Sequence, residues 1–413
     1  MEPQLQHIIL VCNKKRLQEI HMLKKIISLS VICTLILLCS CQSSTKDNSD
    51  TDFDALLKKS TNIDFGDTTY NIETDSQNYF DMSMRHITAS PDGYFLFLMK
   101  KKANILSYIS KDTKEIIPVC SRADCSHADD TCDAAYPHLN FIQFYQNNLY
   151  AVNWETDENN ADYAYFNLYK ISCDSSVYEK EFEMMYAKTD ESVIPYFIIH
   201  RGYVYYVAET GGDFCLYEYD LQKKNKKLLY RAKDENMNAF IDSMQGYGDG
   251  IFFSALSDEN AKIKVIYYSQ KNGELYEITD GMSSVHFTVT SDGIVYYGGN
   301  SIKKVAFATL KETSFAECEK ATISCDGRYV YADNDWNCNQ DVENPDYSNR
   351  KVEVYDTDGK HIDTIDLAGC SGGAIFGDKD YMFFYFNNNY NISMLDKSQI
   401  GTGKHEWVEV KED

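Results

Sequence analysis

The sequence predicts an all-β protein: a seven-bladed β-propeller that follows an N-terminal lipoprotein signal and tether. Seven runs rich in aromatic and β-branched residues each begin at a turn containing Asp, Asn or Gly, and they recur at intervals of 34–55 residues. These intervals lie near the ~40–50 residues of a four-stranded blade. The 32 Tyr and 21 Phe residues favour strands. Six or eight blades stay open as alternatives, because the fifth unit spans only 34 residues.

An export signal is predicted over residues 1–41. Lys24 and Lys25 precede an apolar stretch of fourteen residues, 26–39, which is shorter than the ~20 residues of a membrane-spanning helix. The stretch ends in LCSC, a pattern typical of a bacterial lipobox, so we predict cleavage before Cys41 and lipidation of its thiol. Ordinary cleavage near Ser40 is the alternative. Residues 1–21 are charged and do not fit a signal, so we expect translation to begin at Met22.

The segment after Cys41 is predicted to be a flexible tether. Residues 42–67 are polar and low in apolar side chains, a composition that does not support a packed core. The propeller is then predicted over residues 68–413, with 68–75 as a candidate outer strand that fastens the last blade.

Each propeller unit begins at a marker position in its first turn, and a second strand follows after a polar loop. The seven markers are Gly93, Asn148, Gly202, Gly250, Gly293, Gly327 and Asp380. A single four-stranded sheet buries only part of its faces and leaves its edges exposed, whereas a closed ring leaves only short, protected edges. We therefore expect the sheets to pack around one axis.

The lipobox and the repeated Asp-Gly-aromatic runs carry a resemblance. Together they resemble the tyrosine-rich propeller lipoproteins of Gram-positive, clostridial-type anaerobes, which are similar to TolB-like and DUF5050-type repeat proteins. The resemblance covers most of the chain after the signal, although many propellers share such repeat motifs. It implies a propeller at the extracytoplasmic face of the cell membrane, held by lipid on Cys41, and it implies no established activity.

The charge of the chain bounds its partners. With 40 basic and 63 acidic residues the net charge is -23, and such a surface repels phosphate backbones. We expect no nucleic acid partner, whereas cations and basic surfaces are suited to this charge.

Three cysteines and a histidine fall within thirteen residues, CSRADCSHADDTC. Cys120, Cys125, His127 and Cys132 offer three sulfurs and one imidazole, the donors of a closed tetrahedral zinc site. The alternatives are a disulfide of Cys120 or Cys125 with Cys132, as expected outside the cytoplasm, and unpaired packing thiols. Acidic neighbours argue against a catalytic thiolate, because they raise the pKa of a thiol.

A calcium-like pattern occurs in DNDWNCNQDVEN, residues 333–344. Oxygen ligands recur at Asp333, Asp335 and Asn337. The pattern departs from a calcium loop because Cys338 replaces the sharp-turn glycine and Asn344 replaces the bidentate glutamate. A plain hairpin loop is the alternative.

No GxSxG, HExxH or GxxxxGK[ST] motif occurs in the sequence, and we assign no catalytic residues. We expect a non-catalytic module that binds a peptide, a glycan or a partner protein. Two alternatives remain: an extracytoplasmic enzyme acting on polysaccharide with a carboxylate pair in the central channel, and a metal-handling protein built on the Cys/His cluster with a structural zinc.

Overall fold

The computed structural model describes residues 51–78, 87–99, 104–122, 124–127, 130–136, 139–189, 195–232, 240–256, 262–335, 346–386 and 392–410. The chain divides into two units, residues 1–51 and 52–413, and the second contains all the strands named below. The signal, the lipobox and Cys41 lie outside the described residues. Within the described ranges, no helix has the length and apolar character needed to cross a bilayer.

Seven four-stranded antiparallel sheets make up the second unit, as predicted. Blade 1 contains β1 (Ile87–Ala89), β2 (Gly93–Met99), β3 (Asn104–Ser110) and β4 (Ile116–Pro118). Blade 2 contains β5 (Leu139–Tyr145), β6 (Asn148–Asp157), β7 (Asn160–Ser172) and β8 (Tyr178–Lys188). Blade 3 contains β9 (Phe197–His200), β10 (Tyr203–Thr210), β11 (Asp213–Asp220) and β12 (Asn225–Ala232). Blade 4 contains β13 (Phe240–Tyr247), β14 (Gly250–Leu256), β15 (Ile263–Ser269) and β16 (Glu274–Met282).

The remaining three blades follow the same order. Blade 5 contains β17 (Phe287–Val289), β18 (Gly293–Gly298), β19 (Ser301–Ala306) and β20 (Glu312–Glu317). Blade 6 contains β21 (Thr322–Cys325), β22 (Tyr329–Asp333), β23 (Lys351–Asp356) and β24 (His361–Asp366). Blade 7 contains β25 (Gly372–Ile375), β26 (Tyr381–Phe386), β27 (Ile392–Asp396) and β28 (Trp407–Glu409). The short fifth unit thus forms a complete sheet, which settles the blade count at seven.

The core lies between the blades. Among the described residues, seven apolar clusters occur, and each draws its side chains mainly from two neighbouring blades. Between blades 3 and 4, for example, Tyr205 and Tyr230 pack with Ile251 and Phe253, and all four are at most 1% exposed. The high tyrosine content therefore serves packing between sheets.

The ring closes between blades 1 and 7 without a shared strand. Blade 7 takes all four strands from residues 372–409, so the prediction that 68–75 adds its outer strand is wrong. Instead, the Tyr94 hydroxyl donates to the Asp378 carboxylate at 2.9 Å, and Lys111 Nζ lies 2.9 Å from the same carboxylate. The Tyr94 ring also meets Phe383 edge-on at 4.8 Å. Side-chain contacts, not a backbone ladder, join the first and last sheets.

Residues 52–78, which we call the N-terminal strap, lie against the propeller. A 3₁₀ turn at Asp54–Leu56 precedes Lys58, whose backbone pairs in parallel with Tyr276 of the outermost strand of blade 4. Phe65 then packs among aromatic rings of blades 4 and 5, including Phe252 at 5.9 Å and Phe307 at 4.7 Å. The described part of the segment predicted as a tether thus has specific neighbours on the ring.

The end of the strap reaches the innermost strands. Asp75 pairs with Arg201 at 3.0 Å, in the turn after β9. The Gln77 side chain donates to the Ala89 carbonyl at 2.6 Å and accepts from the Ala89 N–H at 2.8 Å, as if it were a neighbouring strand. Asp75 and Gln77 are each 4% exposed. The strap therefore covers part of the ring at the turns that follow the innermost strands.

A buried histidine holds the strap in this position. His200 Nδ1 accepts from the Ser76 backbone N–H at 3.2 Å, and Nε2 lies 2.8 Å from the Gly248 carbonyl, to which it can only donate. This pairing requires a neutral imidazole with its proton on Nε2. Burial lowers the pKa of His200, against the opposing effect of nearby Asp75.

Candidate metal centre and channel cavity

The predicted Cys/His cluster lies in the connection from blade 1 to blade 2. The connection leaves β4 and returns beside β3, so both of its ends are held by one strand. Val119 N–H donates to the Leu106 carbonyl, and Leu106 N–H donates to the Ala134 carbonyl, both at 2.9 Å. The residues between them form a loop with a fixed base.

The structure brings all four predicted ligands together. One donor atom from each of Cys120, Cys125, His127 and Cys132 lies within 4.8 Å of the others. His127 Nδ1 is 3.5 Å from Cys132 Sγ, and the His127 backbone N–H donates to Cys125 Sγ at 3.4 Å. His127 has a φ of 51°, a left-handed conformation that turns the loop back on itself.

The cluster sits at the rim of the apolar core between blades 1 and 2. Cys132 is 4% exposed and belongs to that core, while Cys120 and Cys125 pack against it and are half-buried. Arg122 spans the loop outside the thiols by donating to the Thr131 carbonyl at 3.0 Å and lying 4.0 Å from Asp133. The donors therefore face inward from a loop whose outer side is charged.

The thiols differ in acidity. Burial raises the pKa of Cys120, but backbone N–H groups of Arg122 and Asp133 and hydrogen bonds with the Cys132 and Cys125 thiols together outweigh burial, so the net pKa is lowered. Burial raises the pKa of Cys132 to about 12. A bound divalent cation reverses such a shift, because coordination removes the thiol proton outright.

The donor set fits zinc. A tetrahedral zinc site with sulfur at about 2.3 Å and imidazole nitrogen at about 2.0 Å places neighbouring donors under about 4 Å apart, so the four side chains need to close by less than about 1 Å. None of the eight cysteines among the described residues is joined to another in a disulfide, the three of the cluster included. Nothing in the described geometry requires a disulfide here.

The two described carboxylates of the calcium-like pattern lie beside an arginine side chain. Asp333 and Asp335 face Arg350, with Nη2 to Asp333 at 2.9 Å and Nη1 to Asp335 at 3.1 Å. The Arg350 side chain is 1% exposed and also donates to the Gly372 carbonyl at 2.6 Å, which links blades 6 and 7. The third predicted ligand, Asn337, lies outside the described residues. These carboxylates thus neutralise a buried guanidinium.

A cavity that the sequence analysis did not predict lies in the central channel. Its volume is about 560 Å³, and the residues around it include the starts of β13, β17 and β21 and strap residue Asn78. Its wall contains a polar pair, Ser243 Oγ and His286 Nδ1, 3.2 Å apart.

Two cavity positions share an unusual backbone. Phe141 in blade 2 and Ser243 in blade 4 have φ values of 52° and 50°, and each lies at a bulge in its innermost strand. Each also precedes by two residues a glutamine that bonds the next blade: Gln143 donates to the Ile199 carbonyl, and Gln245 to the Phe287 carbonyl, both at 2.7 Å. The repeated glutamine, in FIQFY and SMQGY, is the sequence signal that marks these positions.

Comparison with solved structures shows the fold. A protein from Lactobacillus plantarum matches at 14% identity with a TM-score of 0.50, over 78% of this chain and 97% of its own. A prolyl endopeptidase matches at 13% identity with a TM-score of 0.50, over 82% of this chain and half of its own. TolB from Acinetobacter baumannii matches at 14% identity with a TM-score of 0.39, over 67% of this chain and 64% of its own. At these identities the two matches with a TM-score of 0.50 support the fold alone.

No protein-family model matches the sequence. No curated protein matches it either.

Proposed function

We propose that this chain is a lipid-anchored, extracytoplasmic lipoprotein whose propeller is a non-catalytic module that binds a peptide, a glycan or a partner protein in the channel cavity. The observation that carries the proposal is the cavity itself, about 560 Å³ in volume and walled by innermost strands of several blades. Cavities of this size, with mostly apolar walls and a few polar groups, are typical binding sites. The end of the strap borders this cavity through Asn78.

Anchoring rests on the signal. Lys24 and Lys25, the short apolar stretch and the LCSC stop support cleavage before Cys41 and acylation of that residue. Two or more acyl chains hold a protein stably at a bilayer, because each buried methylene contributes about 0.8 kcal/mol. The same features support an origin among Gram-positive cell-surface lipoproteins.

A pair of cysteine substitutions tests the anchor. Cys41→Ala should prevent labelling by radioactive palmitate and move the protein from the membrane fraction to the soluble fraction of cells that express the full chain. Cys39→Ala, two residues earlier in the same LCSC stop, is the matched control and should stay membrane-bound and labelled. Equal behaviour of the two variants would refute the anchor at Cys41.

We also propose that the Cys/His cluster holds a structural zinc ion. The supporting observation is that His127 joins the three thiols within 4.8 Å, which a disulfide of two cysteines would not require. With four protein ligands and no open position, such a site stabilises a fold and does not activate water. Zinc here would tie the connecting loop to the core between blades 1 and 2.

Elemental analysis tests the zinc site. Protein purified anaerobically should contain about one zinc per chain, and the double variant Cys125→Ser, His127→Asn should contain almost none. Asn is chosen because it tolerates the left-handed backbone of His127. Cys173→Ser removes a free thiol outside the cluster and should leave the zinc content unchanged. A wild-type protein without zinc, in which thiol titration finds two of the three cluster cysteines oxidised, would establish the disulfide instead.

A further inference from the structure

The wall of the channel cavity combines aromatic rings with negative charge. Six aromatic side chains line it: Phe141, Tyr196, Phe214, Phe240, Phe287 and Phe376. Two carboxylates, Glu209 and Asp242, share the wall, and no lysine or arginine is found among its described lining residues. The cavity is thus apolar in its body and acidic in its fixed charge.

Both kinds of group favour a cation. The face of an aromatic ring carries negative partial charge and attracts an ammonium or guanidinium group within about 6 Å, the more so where water is excluded. A carboxylate adds a full opposite charge. An anionic ligand would meet repulsion from both, and the net charge of -23 repels it further.

Hydrogen bonds at the bulge in β13 fix one part of the cavity wall. Asp242 accepts the Ser243 backbone N–H at 2.6 Å, which fixes its carboxylate beside the left-handed residue. Tyr196, which immediately precedes the innermost strand β9 of blade 3, donates its hydroxyl to the Ile241 carbonyl at 3.4 Å. The Tyr196 ring and the Asp242 carboxylate are therefore both positioned by hydrogen bonds to the same short segment of β13, without any contribution from a ligand.

We propose that the channel cavity binds a ligand that carries an amine or guanidinium group on an apolar body, either a free organic amine or a basic residue of a peptide. This inference rests on the proposed binding function and names the ligand class for it. The aromatic wall takes the apolar body, while Glu209 and Asp242 face the positive charge.

Three probes with one carbon skeleton test the charge preference by calorimetry. 3-Phenylpropylamine should bind about tenfold more tightly than 3-phenylpropan-1-ol, and 3-phenylpropanoate should bind most weakly. Acetyl-Phe-Arg-amide and its neutral citrulline counterpart form the peptide arm. Stronger binding of the peptide than of the amine identifies a basic peptide as the source of the charge, and the reverse identifies a small amine.

Matched variants assign the effect to the cavity. Glu209→Gln with Asp242→Asn keeps the shape of both side chains and should remove the preference for the amine over the alcohol. Asp112→Asn with Glu115→Gln removes two exposed carboxylates in blade 1 and should leave the preference intact. Thermal unfolding of both pairs verifies that they fold.

The outcomes separate the inference from the function on which it rests. Equal binding of amine and alcohol by the wild type overturns the charge inference but leaves the cavity as a binding site. A preference that survives in the Glu209→Gln, Asp242→Asn variant overturns it as well, because the charge then acts elsewhere. If none of the five probes binds, both the inference and the proposed cavity function are overturned.

Discussion

Removal of the Asp378 carboxylate should open the ring at its closure. Asp378 is 5% exposed and accepts from four donors: the Tyr94 hydroxyl at 2.9 Å, Lys111 Nζ at 2.9 Å, and the backbone N–H groups of Asp380 and Tyr381 at 2.9 and 3.1 Å. Asp378→Ala leaves a buried hydroxyl and a largely buried ammonium without this partner. Loss of one member of a buried charged pair costs about 3–5 kcal/mol, against a total stability of about 5–15 kcal/mol.

The neighbouring carboxylate is the matched control. Asp380 also pairs with Lys111, at 3.3 Å, but its side chain is 39% exposed, so Asp380→Ala should cost at most about 1 kcal/mol. The free energy of unfolding of both variants is measured by urea denaturation with tyrosine fluorescence. If Asp378→Ala loses no more stability than Asp380→Ala, the side-chain closure is not what holds blades 1 and 7 together.

Three further predictions concern the strap and the cluster. Because folding lowers the pKa of His200, its stabilising contribution is full above the unfolded pKa of about 6.5 and is lost as pH falls below it. The hydrogen-exchange protection factors of residues 74–78, which correct for the slower intrinsic exchange at low pH, should therefore fall as the pH is lowered from 7 to 5, and should fall less in His200→Gln. Gly66→Ala places a Cβ 1.9 Å from Asp249 Oδ2 and should cost about 1–3 kcal/mol more than Gly299→Ala, which has a similar φ but open space, by urea denaturation. A zinc chelator should lower the melting temperature of the wild type but not that of the Cys125→Ser, His127→Asn variant.

The sequence was sufficient for counting the blades because each contains a local signal, which the structure places at the turn between the first and second strands and not at the start of the blade. Turns such as those at Gly93 and Gly293 and the aromatic runs after them act within a few residues, so seven markers predicted seven sheets. The convergence of Cys120 to Cys132 was predicted in the same way, since thirteen residues of one loop contain the whole cluster.

The strap and the cavity depend on contacts that no short stretch contains. Residues 42–67 have the polar composition of a tether, yet Phe65 packs against Phe307, more than two hundred residues away. Asp75, in the segment predicted as an outer strand, pairs instead with Arg201, more than a hundred residues away. The cavity is assembled from single residues of several blades. Arg350, which occupies the carboxylates read as a calcium pattern, was missed because a lone arginine carries no spacing signal.

The closure of the ring by side chains has a consequence for how the polypeptide acquires its structure. Because every sheet is built from one continuous segment, blade 1 does not wait for the carboxyl terminus, and each sheet can form in turn along the chain. The strap is different, since Phe65 needs aromatic partners from blades 4 and 5 before it can dock. We therefore expect the strap, although it comes first in the sequence of the domain, to dock late in folding, after blades 4 and 5 have formed.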